Sequence, residues 1–233
     1  MSAAPTAIGM APRRQRTAAA GEDRVPSSWA EPNAPVELGD GWAHAWLLGP
    51  SASRAPTAAN VARVLALCRV GGADLPLSYE RSAQGIPGAP GETTLSVSHS
   101  GELTLVCVGR ARAVGVDVER IRDLDVVAFA RLYFGAGEAA CLETMDDSQR
   151  RAAFFAAWTR KEAYAKATGL GLVRSDALKV DLTPRDRSHE RDSPIAFAAG
   201  GRQWTAFDLA LGPGYAGAVA VEAPAGLRCW RAP

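Results

Sequence analysis

No stretch of the chain approaches the run of about 18 apolar residues that a membrane-spanning helix requires, so a soluble protein is expected. Secretion is not expected either. Arg13, Arg14 and Arg16 are followed by TAAAGED, where Glu22 and Asp23 interrupt any apolar core, and a cytoplasmic location is expected. Charge of one sign is also scarce: 26 basic against 25 acidic side chains leave a formal net charge of +1. Binding of nucleic acid through bulk charge is thereby excluded. The three histidines, His44, His99 and His189, are too dispersed for a zinc cage. Four cysteines, Cys68, Cys107, Cys141 and Cys229, form no C-x-x-C pair and read as reduced, structural thiols. A metal would have to sit on carboxylates, which points to magnesium.

What remains is ordinary globular composition, 47% hydrophobic and 22% charged over 233 residues, enough for one large domain or two small ones. Residues 1–35 are rich in Ala, Pro, Arg and Ser without apolar periodicity and are expected to be a disordered tail. GWAHAWLL, residues 41–48, reads as a strand. Val61, Val64, Leu65 and Cys68 fall at helical spacing, which predicts a helix over 60–70 ended by Gly71-Gly72. From Thr94 the period changes to two. LTLVCV and VGVDVE flank GRARA and suggest an antiparallel hairpin. Helices follow over 125–134, 136–145 and about 148–168, the last capped by Asp147 or Ser148 and stopped by Gly169. QWTAFDLAL and YAGAVAVEA read as a closing strand pair around GPG. Strands and helices are segregated, so the fold class is α+β.

Three short stretches carry chemistry. In GVDVER, residues 115–120, Asp117 and Glu119 leave one face of a strand with Val116 and Val118 behind them, about 7 Å apart along the chain. Such carboxylates repel unless water screens them or a cation sits between, so the pair is either a solvated face or a metal site. In WTRKEAYAKATGLGL, residues 158–172, Trp158, Glu162 and Lys166 share a helical face. Either Glu162 and Lys166 form a surface pair, or they border a cleft and serve a metal and a phosphate. Ser98 and His99 end an alternating strand at a turn. His99 is either structural or a phosphate donor.

Taken in order, SVSHS, GVDVE and WTRKEAYAKATGLGL resemble the 4′-phosphopantetheinyl transferases of the surfactin-synthetase-activating type. That family carries S-H, then G-x-D-x-E, then W-x-x-K-E-A-x-x-K-x-x-G-x-G-L. ARLYFGAGEAACL, residues 130–142, is similar to its R-F-F-x-x-x-E segment. The likeness covers about residues 94–175. The segment before the first CoA-binding arginine is shorter here, and the family's G-K-P turn has no clear counterpart. AQGIPG, residues 83–88, puts Gln84 where the lysine would align.

The resemblance implies a pseudo-dimer of two similar α+β halves, each a small, mainly antiparallel sheet packed on a long helix, with the site at their junction. The abbreviated N-terminal half would run over 36–120 and the C-terminal half over 121–233. It further implies that Asp117, Glu119 and Glu162 bind Mg²⁺, that Lys166 contacts the pyrophosphate of coenzyme A, and that Lys161 helps to position the phosphates. Ser98, His99 and Arg54 would hold the adenosine 3′-phosphate. Glu162 and Lys166 would be catalytic, Glu162 as the base directly or through water. The implied reaction moves 4′-phosphopantetheine from coenzyme A to a serine of an acyl or peptidyl carrier protein, with release of adenosine 3′,5′-bisphosphate. Such carriers serve polyketide, nonribosomal peptide and fatty acid synthesis. The expected partners are the carrier and coenzyme A, without nucleic acid or membrane, and the expected state is a monomer. The rival reading is an impaired relative that binds carrier or CoA without catalysis.

Overall fold

The computed structural model describes residues 28–76, 93–110, 113–174, 176–183 and 194–233. The chain passes through strands β1 (Val36–Glu37) and β2 (Trp42–Leu48), the helical turn α1 (Pro50–Ser53), helix α2 (Thr57–Leu65) and the short strands β3 (Cys68–Val70) and β4 (Ala73–Asp74). Strands β5 (Thr93–Ser100), β6 (Leu103–Arg110) and β7 (Val114–Arg120) lead to helices α3 (Val126–Tyr133), α4 (Ala136–Glu143) and α5 (Asp147–Thr168). A short helix α6 (Gly171–Arg174) and a 3₁₀ turn (Asp176–Leu178) precede strands β8 (Ile195–Ala199), β9 (Arg202–Asp208), β10 (Tyr215–Glu222) and β11 (Gly226–Arg231). The fold is α+β, as the segregation of helix and strand patterns predicts.

Two four-stranded sheets make the frame, ordered β11-β2-β6-β5 and β7-β10-β9-β8. β11 runs parallel to β2, and the other neighbours in both sheets are antiparallel. Between the sheets, Ala43, Ala45, Leu105 and Cys107 of the first meet Val114, Val116, Val118, Val219 and Val221 of the second. The outer face of the first sheet is covered by α1 and α2, where Trp46, Leu48 and Val106 pack on Ala52, Val61, Val64 and Leu65. Helix α5 covers the outer face of the second through Ala163, Tyr164 and Ala167 against Trp204, Ala218 and Ala220. Each large apolar side chain buried in these layers contributes about 1.5 to 3 kcal/mol, so the two faces of each sheet hold it in register.

Several expectations are corrected. LTLVCV and VGVDVE do not form a hairpin: β6 pairs with β5 and β2, while β7 pairs with β10 in the other sheet. Both runs are buried on two faces, so each is a central or sheet-packed strand and neither shows the one-sided alternation of a simple hairpin. The helix of residues 60–70 ends at Leu65, and Cys68–Val70 is a strand that turns through Gly71 and Gly72, both left-handed, into β4. α5 starts one residue earlier than expected, with Asp146 accepting from Gln149 N as the cap.

Both sheets draw on strands from either side of Ile121. β7, assigned to the first half, belongs to the second sheet, and β11 returns from the far end of the sequence to the first. Of the expected tail, residues 1–27 lie outside the described residues, as do Gln84 and most of the Pro184–Pro194 loop. Residues 29 and 30 are already tied down: Trp29 donates to Ala210 O at 2.6 Å, and Ala30 bridges Trp230. An indole and a backbone ladder can anchor a segment whose overall composition lacks apolar periodicity. No helix among the described residues is long and apolar enough to cross a membrane.

Candidate active site

The site forms where α5 crosses β7, and one glycine decides how close they come. A Cβ on Gly115 would lie 1.9 Å from Ala163 O and 2.6 Å from Ala167 N, so only glycine lets the helix backbone settle on the strand there. Alternation along β7 then sends Asp117 and Glu119 to the helix side, while Val116 and Val118 enter the core between the sheets. From α5, Glu162 and Lys166 lie one turn apart on the stripe that meets them. The helix ends at Gly169, whose φ of 69° is the left-handed stop that glycine accepts most readily.

Asp117 is the centre. Its Oδ1 accepts from Lys166 Nζ at 2.7 Å and from Ser98 Oγ at 2.8 Å. Its Oδ2 is buried and has no partner among the described residues. Burial pushes the Asp117 carboxyl above the usual carboxylate range, more than Lys166 and Ser98 draw it down, and the charge of Glu119 adds to the rise. Glu119 accepts on Oε2 from Arg122 at 3.0 Å and from Ser100 at 3.3 Å. Half-buried Glu162 is likewise raised, first by burial, then by Asp117, with Lys166 opposing and Glu119 adding. The charge of Glu119 thus adds to the proton affinity of Asp117, and both add to that of Glu162, beside the Lys166 ammonium.

This donor set suits a hard cation, since it is all oxygen and includes a buried carboxylate oxygen that no described residue satisfies. In the present arrangement no three His, Cys, Asp or Glu side chains among the described residues converge closely enough to hold a metal, and Lys166 supplies the countercharge. Lys166 also donates to Ser98 Oγ at 2.9 Å and to Val116 O at 3.2 Å, which occupies all three of its protons.

Ser98 and His99 part company. Ser98 is buried toward β7, whereas the exposed His99 points to the face shared by Leu95 and Val97. Arg54 caps the C-terminus of α1 on that same outer side, and Leu48, Thr104 and His99 are lateral neighbours across the sheet at this end. His99 and Arg54 therefore share a face that the Ser98 hydroxyl does not reach.

Lys161 requires the plainest correction. Its side chain is 0% exposed and lies on the far side of α5. There Nζ donates to Glu138 Oε2 at 2.9 Å, to Ala177 O at 3.1 Å and to Val180 O, 5.0 Å from the centre of the Phe134 ring. One residue along a helix turns the side chain by about 100°, which is enough to carry Lys161 away from the stripe of Glu162. Glu138 is saturated in turn by Gly135 N, Leu182 N and Thr183 Oγ1. Arg160 beside it grips Asp208 and Leu182 O. Trp158 is half-buried in a ring cluster with Tyr133, Phe134 and Phe154.

Sequence reasoning did not single out Ser96, Ser100, Glu138 as the partner of Lys161, or the packing role of Gly115. The signal for the serines was present in their spacing of two along β5.

Residues 113–220 match the family model described as the 4′-phosphopantetheinyl transferase superfamily. The matched segment contains Asp117, Glu119, Glu162 and Lys166 together with β7 and α5. Among curated proteins, the chain is similar to the 4′-phosphopantetheinyl transferase HetI of Nostoc sp., 32% identical over 127 residues that cover 54% of this chain and 50% of that one. It is also similar to the 4′-phosphopantetheinyl transferase gsp of Aneurinibacillus migulanus, 32% identical over 94 residues, 40% of this chain and 39% of the relative. A third, the 4′-phosphopantetheinyl transferase psf-1 of Bacillus pumilus, is 38% identical over 77 residues, 33% of this chain and 32% of the relative. The matched stretches thus span half or less of these relatives' lengths. The segment that builds the site is thus similar to the 4′-phosphopantetheinyl transferase superfamily.

Proposed function

We propose that the chain is an enzyme of the surfactin-synthetase-activating type, which transfers 4′-phosphopantetheine from coenzyme A to a serine of an acyl or peptidyl carrier protein. The observation that supports this reading most is Asp117, a buried carboxylate pinned through one oxygen and unpartnered at the other, inside the segment that matches the family. Asp117, Glu119 and Glu162 would hold Mg²⁺, which when bound screens phosphate charge and polarises the phosphoryl group. Lys166, held by Asp117, Ser98 and Val116 O, would stand near the leaving pyrophosphate as a fixed positive charge. His99 and Arg54 offer two donors on one face to the adenosine 3′-phosphate.

In the reaction the carrier serine oxygen bonds to the phosphorus that bears pantetheine, and the bond from that phosphorus to the bridging oxygen breaks. The bridging oxygen leaves with adenosine 3′,5′-bisphosphate. The serine proton passes to the Glu162 carboxylate, whose proton affinity is raised first by burial and then by the charge of Asp117. Positioning and charge do most of the work in such a transfer. The carriers would be those of polyketide, nonribosomal peptide or fatty acid synthesis, served by a monomeric cytoplasmic protein.

Incubation of the full chain with CoA, Mg²⁺ and a panel of apo carrier proteins, followed by weighing of the carriers, tests this. One phosphopantetheinyl group should be added to at least one carrier, and the addition should be lost with EDTA. CoA binding without any gain of mass across the panel would favour a binding module instead.

A further inference from the structure

Strands β5 and β7 are the facing edges of the two sheets, and side chains take the place of a backbone ladder between them. Ser96 Oγ accepts from Val116 N at 3.1 Å, Ser98 Oγ from Val118 N at 3.3 Å and Ser100 Oγ from Arg120 N at 3.0 Å. The offset is constant, so every second residue of one strand meets every second residue of the other. A hydroxyl that accepts from a backbone N–H still has its own proton to give. The β7 side chain next to each serine belongs to the residue before that N–H: Gly115, Asp117 and Glu119 in turn. Ser98 gives its proton to Asp117 Oδ1 at 2.8 Å, Ser100 reaches Glu119 Oε2 at 3.3 Å, and Ser96 faces a residue without a side chain.

At Ser98 the assignment is forced by counting. Lys166 Nζ and Val118 N are pure donors and fill the two acceptor positions of Oγ, so the single hydroxyl proton must go to Asp117. Oδ1 is thereby held from two sides, and Oδ2 is left as the buried oxygen without a partner among the described residues. At Glu119 both Ser100 and Arg122 fall on Oε2.

We propose that Ser98, assisted by Ser100, is a positioning residue that aims the carboxylates of Asp117 and Glu119 at the cation, and that Ser98 is not a ligand of the 3′-phosphate. This inference rests on the function proposed above. It gives the serine row of β5 two tasks: all three serines join the sheets, and only the two beside a carboxylate set the metal site.

The test uses Mn²⁺ as the probe, titrated by electron paramagnetic resonance into the full chain without CoA, alongside transfer kinetics at varied Mg²⁺ and CoA. Ser98→Ala should weaken Mn²⁺ about 10-fold, the usual size for loss of an orienting partner of a metal ligand, and Ser100→Ala should weaken it less. Ser98→Thr keeps the hydroxyl and should restore most of the affinity. Ser96→Ala removes the same kind of backbone acceptor and should lower the melting temperature without moving Mn²⁺ affinity. In kinetics, Ser98→Ala should raise the Mg²⁺ requirement and leave KM for CoA within about 2-fold, whereas a phosphate ligand would raise KM for CoA about 10-fold or more. Transfer by the wild type with Mn²⁺ affinity unmoved by Ser98→Ala overturns the positioning role alone. Equal weakening by Ser96→Ala overturns it as well. A wild type that binds no Mn²⁺ overturns the metal reading and this inference together.

Discussion

Helix α5 carries two lysine–carboxylate pairs five residues apart, and they are built on opposite principles. On one side Lys161 and Glu138 are fully buried, Lys161 makes three bonds, and Glu138 accepts from four donors. On the other, Asp117 is buried too, yet one of its oxygens has no partner among the described residues, and Lys166 keeps 33% of its side chain exposed. A buried pair with every valence answered serves architecture: it locks α4, α5 and the 176–183 segment together. A buried pair with an unanswered oxygen stores a polar demand that a ligand can meet. The two also differ in what their removal should do, and that difference can be broken or sharpened by measurement.

The largest effect is expected at Asp117. Asp117→Asn keeps the shape and removes the charge, so transfer should fall by about 10³-fold or more, as for loss of a metal ligand. Stability should stay level or rise by about 1 kcal/mol, because a buried charge crowded by like charges is relieved. A variant that transfers at the wild-type rate with Mg²⁺ as sole divalent ion would place the chemistry elsewhere.

Next comes Lys161→Ala, which strands the Glu138 carboxylate in the core and should cost about 3 to 5 kcal/mol of stability. Turnover per folded molecule should survive. Chemical denaturation paired with active-site titration separates the two, and a stable but inactive Lys161→Ala would erase the contrast drawn here.

A third buried ionisable group offers a comparison without an ion pair. His44 is fully buried, accepts from Trp230 Nε1 on Nδ1 at 3.1 Å, and burial, with the Arg228 guanidinium adding to it, pushes its imidazole down to about 4. The unfolded chain takes this proton near pH 6.5, so it binds more protons than the native state between those values. The stability that the neutral imidazole confers is fully present above pH 6.5 and is lost as pH falls toward 4, by about 3 kcal/mol in all. In urea titrations at several pH values, His44→Asn should show a shallower decline than the wild type over this window.

The smallest stability effect should come from Lys166→Ala, about 1 kcal/mol, since water reaches that side of the pair. Transfer should nevertheless drop markedly. If Lys166→Ala instead destabilises as much as Lys161→Ala, the two lysines are alike and both are structural.

Much of this site was legible in the sequence because two periodicities place its parts. Alternation puts Asp117 and Glu119 on one face of β7, and a four-residue step puts Glu162 above Lys166. The same alternation separates Ser98 from His99, a consequence that shared membership of one motif obscures. Lys161 was beyond reach because α5 is buried nearly all round, from Phe154 to Ala167, so no apolar stripe distinguishes the face toward the site from the face toward α4. The pairing of β6 with β5 instead of β7 was equally hidden. Strands buried on both faces lose the one-sided pattern that declares a partner, and the serines that join β5 to β7 look like ordinary alternation.

One strand has a consequence for how the molecule comes into being. β11 lies parallel to β2, so the first sheet borrows its outer strand from residues 226–231, after every strand of the second sheet has been laid down. During synthesis the open edge of Trp42–Leu48 must wait for about three quarters of the chain to emerge before it is covered. The contact is of long range in sequence, which slows its formation and leaves a nascent strand edge available to the wrong partner meanwhile. The two sheets are also clasped together by this exchange, and no single cut between them would release two self-sufficient pieces. Gene fragments designed around the apparent midpoint would yield one piece with a bare edge and another with a strand that has lost its sheet.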